Sequence, residues 1–213
     1  MNSFRLLPAG TRGLLIGLAG VGIATLAGEA SHRFDLGQWG GIGAPQVWQG
    51  EIWRLISYVF IPAGLSDLLL GLVGACILGT QLEKRWLARD LWFFFLFLTL
   101  GVGLAKLILS PHGPVLLGTA PIFLGALFAW ARQHVAERVQ FFGGTDISIG
   151  TLIWITLGLN LVFGLSQRGP IGELLVRLSG VLVAWAYLAI RSRTGITPAQ
   201  ATLRSERIGR LEL

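Results

Sequence analysis

Six stretches of this 213-residue chain have, or nearly have, the length and apolar character of membrane spans. They run from Gly13 to Ala30, Ser66 to Leu82, Leu91 to Leu109, Val115 to Ala131, Ile147 to Leu165 and Ile171 to Ile190. A helix needs roughly 20 mostly apolar residues to cross a bilayer. It is also one of the two structures that satisfy every backbone polar group without water. Hydrophobic residues make up 53% of the chain and charged residues only 13%, about half the charged share of a soluble domain. A soluble domain of this size has too much surface to hide that much apolar side chain. The chain therefore reads as an all-α polytopic membrane protein.

The charges orient the spans. Net charge is +6, which in a soluble protein would point to nucleic acid. Here no nucleic-acid partner is expected, because the basic residues flank apolar segments. Arg5 and Arg12 precede the first span, and Lys84, Arg85 and Arg89 lie between the second and third. Arg132 and Arg138 lie between the fourth and fifth, and Arg191, Arg193, Arg204, Arg207 and Arg210 follow the sixth. All of these fall on one side if six helices alternate, while the other side receives Arg33, Arg54 and Arg168. The positive-inside rule then makes both termini cytoplasmic. The single cysteine, Cys76, forms neither an internal disulfide nor a cysteine-based metal site, and neither metal nor cofactor is expected. The first apolar run lacks a clean small-residue cleavage site and is expected to stay in the mature chain.

Two segments break the pattern. The connection from Ser31 to Pro62 is rich in Gly and Trp, too apolar for a solvated linker and too interrupted for a span. Tryptophan collects at membrane–water interfaces, so this loop reads as an interfacial or re-entrant structure on the non-cytoplasmic side. After residue 193 the composition changes abruptly, which divides the chain into a membrane domain, 1–193, and a cytoplasmic tail, 194–213. Thr197 and Pro198 suit a helix start. Leu203, Ile208 and Leu211 form a ragged apolar stripe opposite Arg204, Glu206 and Arg210. The tail is either a frayed end or a short amphipathic helix that docks on a partner or on acidic lipid.

Charges within or beside the spans need partners, because each costs a few kcal/mol facing lipid. Lys106 lies near the outer end of the third span and is expected to snorkel to the surface. Glu173 and Arg177 are four apart, the spacing of a helical ion pair. Asp67 opens the second span. Catalytic groups are scarce: His32, His112 and His134 lie in loops, and the zincin, nucleophile-elbow and phosphate-loop motifs are absent.

The fourth span holds Pro121 directly after Gly118-Thr119-Ala120. A proline in the first turn of a helix costs little, since its missing N–H has no intrahelical acceptor there. Short motifs recur in order along the chain: "EIWRLISYVFIP" with Trp53 and Arg54, "LGTQLEKRW" with Gly79 and Glu83, "GTAPIFLGALFA" with Gly118 and Gly125, the loop "ERVQFFGG", and "RLSGVLVAWAYLA" with Gly180. From Glu51 to Ile190 this series resembles the rhomboid family of intramembrane serine proteases, with its WR segment, its GxxxE signature, its GxSGxxxG helix and its HxxG helix. The resemblance implies a six-transmembrane-helix rhomboid-like bundle with an interfacial loop between helices 1 and 2.

By the same resemblance, the positions of the catalytic dyad are Ala120, which has no nucleophile, and Arg177, which stays protonated and cannot serve as a base. Pro121 replaces a glycine whose N–H would face the oxyanion. Asp67 and Gly71 stand where the family has a histidine and an asparagine near that oxyanion. Asp67 and Arg177 are expected to pair across the vacated site, with Glu173 competing for the same guanidinium. Gly118, Ala120 and Gly125 are expected to meet Gly180 and Ala184, because small residues four apart let helices approach closely in lipid.

The reading is a catalytically inactive rhomboid-like membrane protein that acts by binding. By resemblance to inactive rhomboids and derlins, it would be a structural or assembly subunit of a larger membrane complex, or would engage transmembrane helices of clients. Its partners are membrane lipid and a transmembrane protein, and the compact chain, without a derlin-like tail motif, suggests a bacterial inner membrane. The aromatic run "LWFFFLFL" in the third span is expected to face lipid. The alternative is a membrane enzyme or small transporter that uses Asp67, Glu173 and Arg177.

Overall fold

In a computed structural model of the chain, residues 7–31, 36–84, 86–133, 138–140, 146–148, 151, 154, 158 and 171–193 are described. The elements are α1 (Ala9–Ala30), the short helices α2 (Leu36–Gly40), α3 (Ala44–Trp48) and α4 (Arg54–Ser57), a 3-10 turn (Tyr58–Phe60), α5 (Leu65–Glu83), α6 (Ala88–Leu109), α7 (Ala120–Gln133), a hairpin of β1 (Arg138–Gln140) and β2 (Asp146–Ser148), and α8 (Ile171–Arg193). Among them α1, α5, α6 and α8 are long and apolar enough to cross a membrane, and α7 is a shorter apolar helix.

These helices account for the first, second, third, fourth and sixth apolar segments. The fifth lies mostly outside the described residues, with Thr151, Trp154 and Gly158 helical. Its expected start at Ile147 is corrected. Ile147 pairs with Val139 in the antiparallel hairpin, whose register also joins Arg138 to Ser148 and Gln140 to Asp146. β-branched residues on both sides of Gly143-Gly144 favour a hairpin over a helix start.

The fourth segment is also shorter than the apolar run suggests. Leu116 exchanges both backbone hydrogen bonds with Ile42, at 3.0 and 2.9 Å, and the Gly118 N–H donates to the Tyr58 carbonyl at 3.0 Å. Residues so engaged with the loop cannot wind into a helix. Gly118 then turns the chain with φ +86°, a conformation that glycine adopts without steric cost. The first helical turn closes with Phe123 N–H donating to the Thr119 carbonyl at 2.8 Å.

The loop between α1 and α5 is held from within. Arg54 is only 7% exposed. Its Nη1 donates to the carbonyls of Gln38 at 2.6 Å and Gly41 at 2.9 Å, and its Nε pairs with Glu51. One guanidinium thus replaces the water that the bend from α2 to α3 would otherwise need. Trp39, Trp48 and Trp53 are exposed around this core, as side chains of an interfacial loop should be.

The bundle is tied at its ends by charges. Glu83, at the end of α5, accepts from the N–H groups of Gly10 at 2.8 Å and Thr11 at 2.7 Å, and from the Thr11 hydroxyl at 2.6 Å. It caps the first turn of α1, where unpaired N–H groups and the helix dipole favour a carboxylate. The antiparallel helices α6 and α8 are joined at both ends. Asp90 pairs with Arg191 at 2.8 Å, and Lys106 pairs with Glu173. Sixteen to eighteen residues separate these ties along each helix, roughly 24–27 Å of rise, close to the thickness of a hydrocarbon core. Near the Asp90 end, Phe94 is fully buried against Trp86 and Tyr187, while Trp92 and Phe93 face outward. The aromatic run therefore serves both core and lipid rather than lipid alone.

Candidate functional site

The rhomboid-like chemistry would sit where α5, α7 and α8 meet. α7 packs against α8 so closely that the two backbones touch. A Cβ on Gly125 would lie 2.5 Å from the Gly180 carbonyl oxygen, and a Cβ on Gly180 would overlap the Pro121 carbonyl. Pro121, Gly125, Gly180 and Ala184 are all buried in this seam. Ala120 is not part of it: it is exposed, which corrects the expectation that it packs on α8. As the first residue of α7 it lies at the helix rim, one position before the face that Pro121 turns to Gly180.

α5 meets α7 along a second line of small residues. A Cβ on Gly71 would lie 2.8 Å from the Thr119 hydroxyl, and Gly74 lies beneath the ring of Phe123. At the head of this line the carboxylate of Asp67 accepts the Ala63 N–H at 3.1 Å, just before its own helix. The Gly118 Cα passes so close above it that any Cβ would overlap Oδ2. A carboxylate at the start of α7 meets the positive end of the helix dipole. Asp67 thus sits where α5 meets the start of α7, its carboxylate packed against Gly118.

Glu173 reaches across to α6. Its Oε1 pairs with Lys106 and accepts from the Ser110 hydroxyl at 2.6 Å. Lys106 is fully buried, so it does not snorkel. The first turn of α8 brings a carboxylate to the last turn of α6, and an ion pair with an added hydrogen bond substitutes for water there. Arg177 is partly buried and has interactions of its own. Sequence reasoning missed the Lys106–Glu173 tie. The signal was available: the end of the third span and the start of the sixth lie on the same side of the membrane.

The remaining predicted residues scaffold the site. Gly79 abuts Thr11, Glu83 caps α1, Arg54 is the centre of the loop, and Trp53 is half exposed. On α8, the Ser179 hydroxyl donates to the Val176 carbonyl at 2.7 Å. His112 is exposed, and His32 and His134 lie outside the described residues. Among the described residues no group of three His, Cys, Asp or Glu side chains is placed to hold a metal ion.

This order of elements, an interfacial loop pinned by Arg54 followed by helices in glycine contact, agrees with sequence comparison. The family model of the rhomboid domain matches residues 49–194, more than half of the chain. The chain belongs to the rhomboid family. It is an integral membrane protein embedded in a bilayer by the apolar helices of that domain. Among curated proteins it is similar to Derlin-1 of Oryza sativa subsp. japonica, 26% identical over 139 residues, which is 64% of this chain and 54% of the relative. The chain thus spans about half the length of that relative. Derlin-1 is here a plant protein, so the expected bacterial inner membrane draws no support from it. Within the rhomboid frame, α5, α7 and α8 are the helices that carry the family's chemical positions.

Proposed function

We propose that this rhomboid-family protein is a pseudoprotease that acts by binding. The observation that carries the reading is the content of two helices. α7 has no serine, threonine or cysteine, and α8 has no histidine. Ala120 and Arg177, at the dyad positions, supply neither nucleophile nor base. Pro121 offers no N–H to an oxyanion. Asp67 and Glu173 are both engaged in holding helices together, which counts against the enzyme or transporter alternative.

The binding role is that of a structural or assembly subunit of a membrane complex, or of a protein that engages transmembrane helices of clients. The rigid seams at Gly125–Gly180 and Gly74–Phe123 support the subunit form, because they close the centre of the bundle against an entering helix. Both termini are cytoplasmic in this reading, with residues 194–213 as the segment presented there. Purification from membranes in mild detergent tests it. One partner at fixed stoichiometry is expected; a varied, substoichiometric set of membrane proteins would favour the client form, and recovery of the protein alone would count against both.

A further inference from the structure

The bundle also contains a cavity of about 100 Å³, with Gly71 in its lining. It lies among α1, α4, the 3-10 turn, α5, α6 and α7. Its inner wall is formed by buried apolar side chains such as Leu78, Ile122 and Ala126. The hydroxyls in its lining belong to Thr99 and Thr119, and that of Thr99 already donates to the Phe95 carbonyl at 2.7 Å. A water needs two to four polar partners, and apolar cavities of this order of size, about 150 Å³, stay dry and take apolar guests. An empty cavity in a bilayer also forfeits the dispersion contacts of its walls.

The rim says what fills it. Ile56, Trp92 and Leu96 line the cavity and are 43%, 42% and 42% exposed. Two of them lie on α6, a helix that crosses the bilayer, so the medium at this opening is lipid acyl chain. The α6 lining runs from Trp92 to Thr99, about 10 Å of helix rise, which suits a chain better than a ring. A helix, about 10–12 Å across with its side chains, is too wide to enter. The lining contains no charged residue, so a headgroup stays outside. We propose that one acyl chain of a bilayer phospholipid enters between α4 and α6 and occupies this cavity as part of the folded protein. The proposal is independent of the pseudoprotease reading.

Photocrosslinking tests it. The full chain is reconstituted in nanodiscs with a phosphatidylcholine that carries a diazirine in mid-chain, irradiated, and mapped by peptide mass spectrometry. Adducts are expected on Leu78, Ile122 and Ala126, which the surrounding bilayer cannot reach, as well as on the outward Leu104 and Ile108. In Ala126→Leu, or in Thr99→Leu if that variant does not fold, the inner adducts should be lost while those on Leu104 and Ile108 persist. Wild-type adducts confined to outward residues would overturn the proposal even if neither variant folds. So would inner adducts that survive the filling substitution, or equal labelling of the inner wall by a headgroup diazirine.

Discussion

Replacing Glu173 by Gln isolates the tie between the end of α6 and the start of α8. The Lys106 side chain is 1% exposed and that of Glu173 19%, so the pair belongs with buried rather than surface ion pairs. Removing one member of a buried pair costs about 3–5 kcal/mol, since the other charge is stranded; an exposed pair would lose about 0–1 kcal/mol. The substituted amide would keep an acceptor for Ser110 but leave the Lys106 ammonium inside the bundle without its counter-charge. Lys106→Met alone strands the carboxylate in turn. The double variant removes both charges and should cost much less than the sum, with a coupling at or above the upper end of the usual range of about 0.5–3 kcal/mol. Equilibrium unfolding in mixed micelles, followed by tryptophan fluorescence, measures all three. A loss below about 1 kcal/mol for Glu173→Gln, or single effects that simply add, would refute a buried pair and restore a lysine that reaches the surface.

Three further outcomes follow from the helix seams and the tail. Gly180→Ala places a methyl on the Pro121 carbonyl and should destabilise by about 1–3 kcal/mol or more, as overpacking does, in the same unfolding assay; a neutral effect would mean that α7 and α8 are not in backbone contact. Asp67→Leu leaves the Ala63 N–H without its acceptor and should cost about 0.5–1.5 kcal/mol, with Asp67→Asn milder, because an amide still accepts one bond; equal losses would exclude a hydrogen-bonding role for the carboxylate. A chain ending near Gly195 should recover less partner than the full chain on copurification; equal recovery would reduce residues 194–213 to a passive end.

The spans were legible because the bilayer permits few structures. A run such as Leu91 to Leu109 has one affordable conformation, and α6 follows it to its last residue. Trp39, Trp48 and Trp53 marked the loop as interfacial, but not how it is held. That depends on Arg54 reaching the carbonyls of Gln38 and Gly41, which periodicity does not encode. Lys106 was misread because its distance from the membrane surface was judged on its own helix, while its partner lies 67 residues away. Pro121 was legible in full: a proline after Gly118 announced a helix start, and α7 begins at Ala120.

The claim that this rhomboid fold binds rather than cleaves is tested most directly with a serine-directed fluorophosphonate. The purified protein, reconstituted in liposomes, is treated beside an active rhomboid protease and digested for mass spectrometry. The account predicts heavy labelling of the active enzyme and none on any residue of α5, α7 or α8. A covalent adduct on a side chain in those helices, abolished by denaturing the protein first, would contradict it.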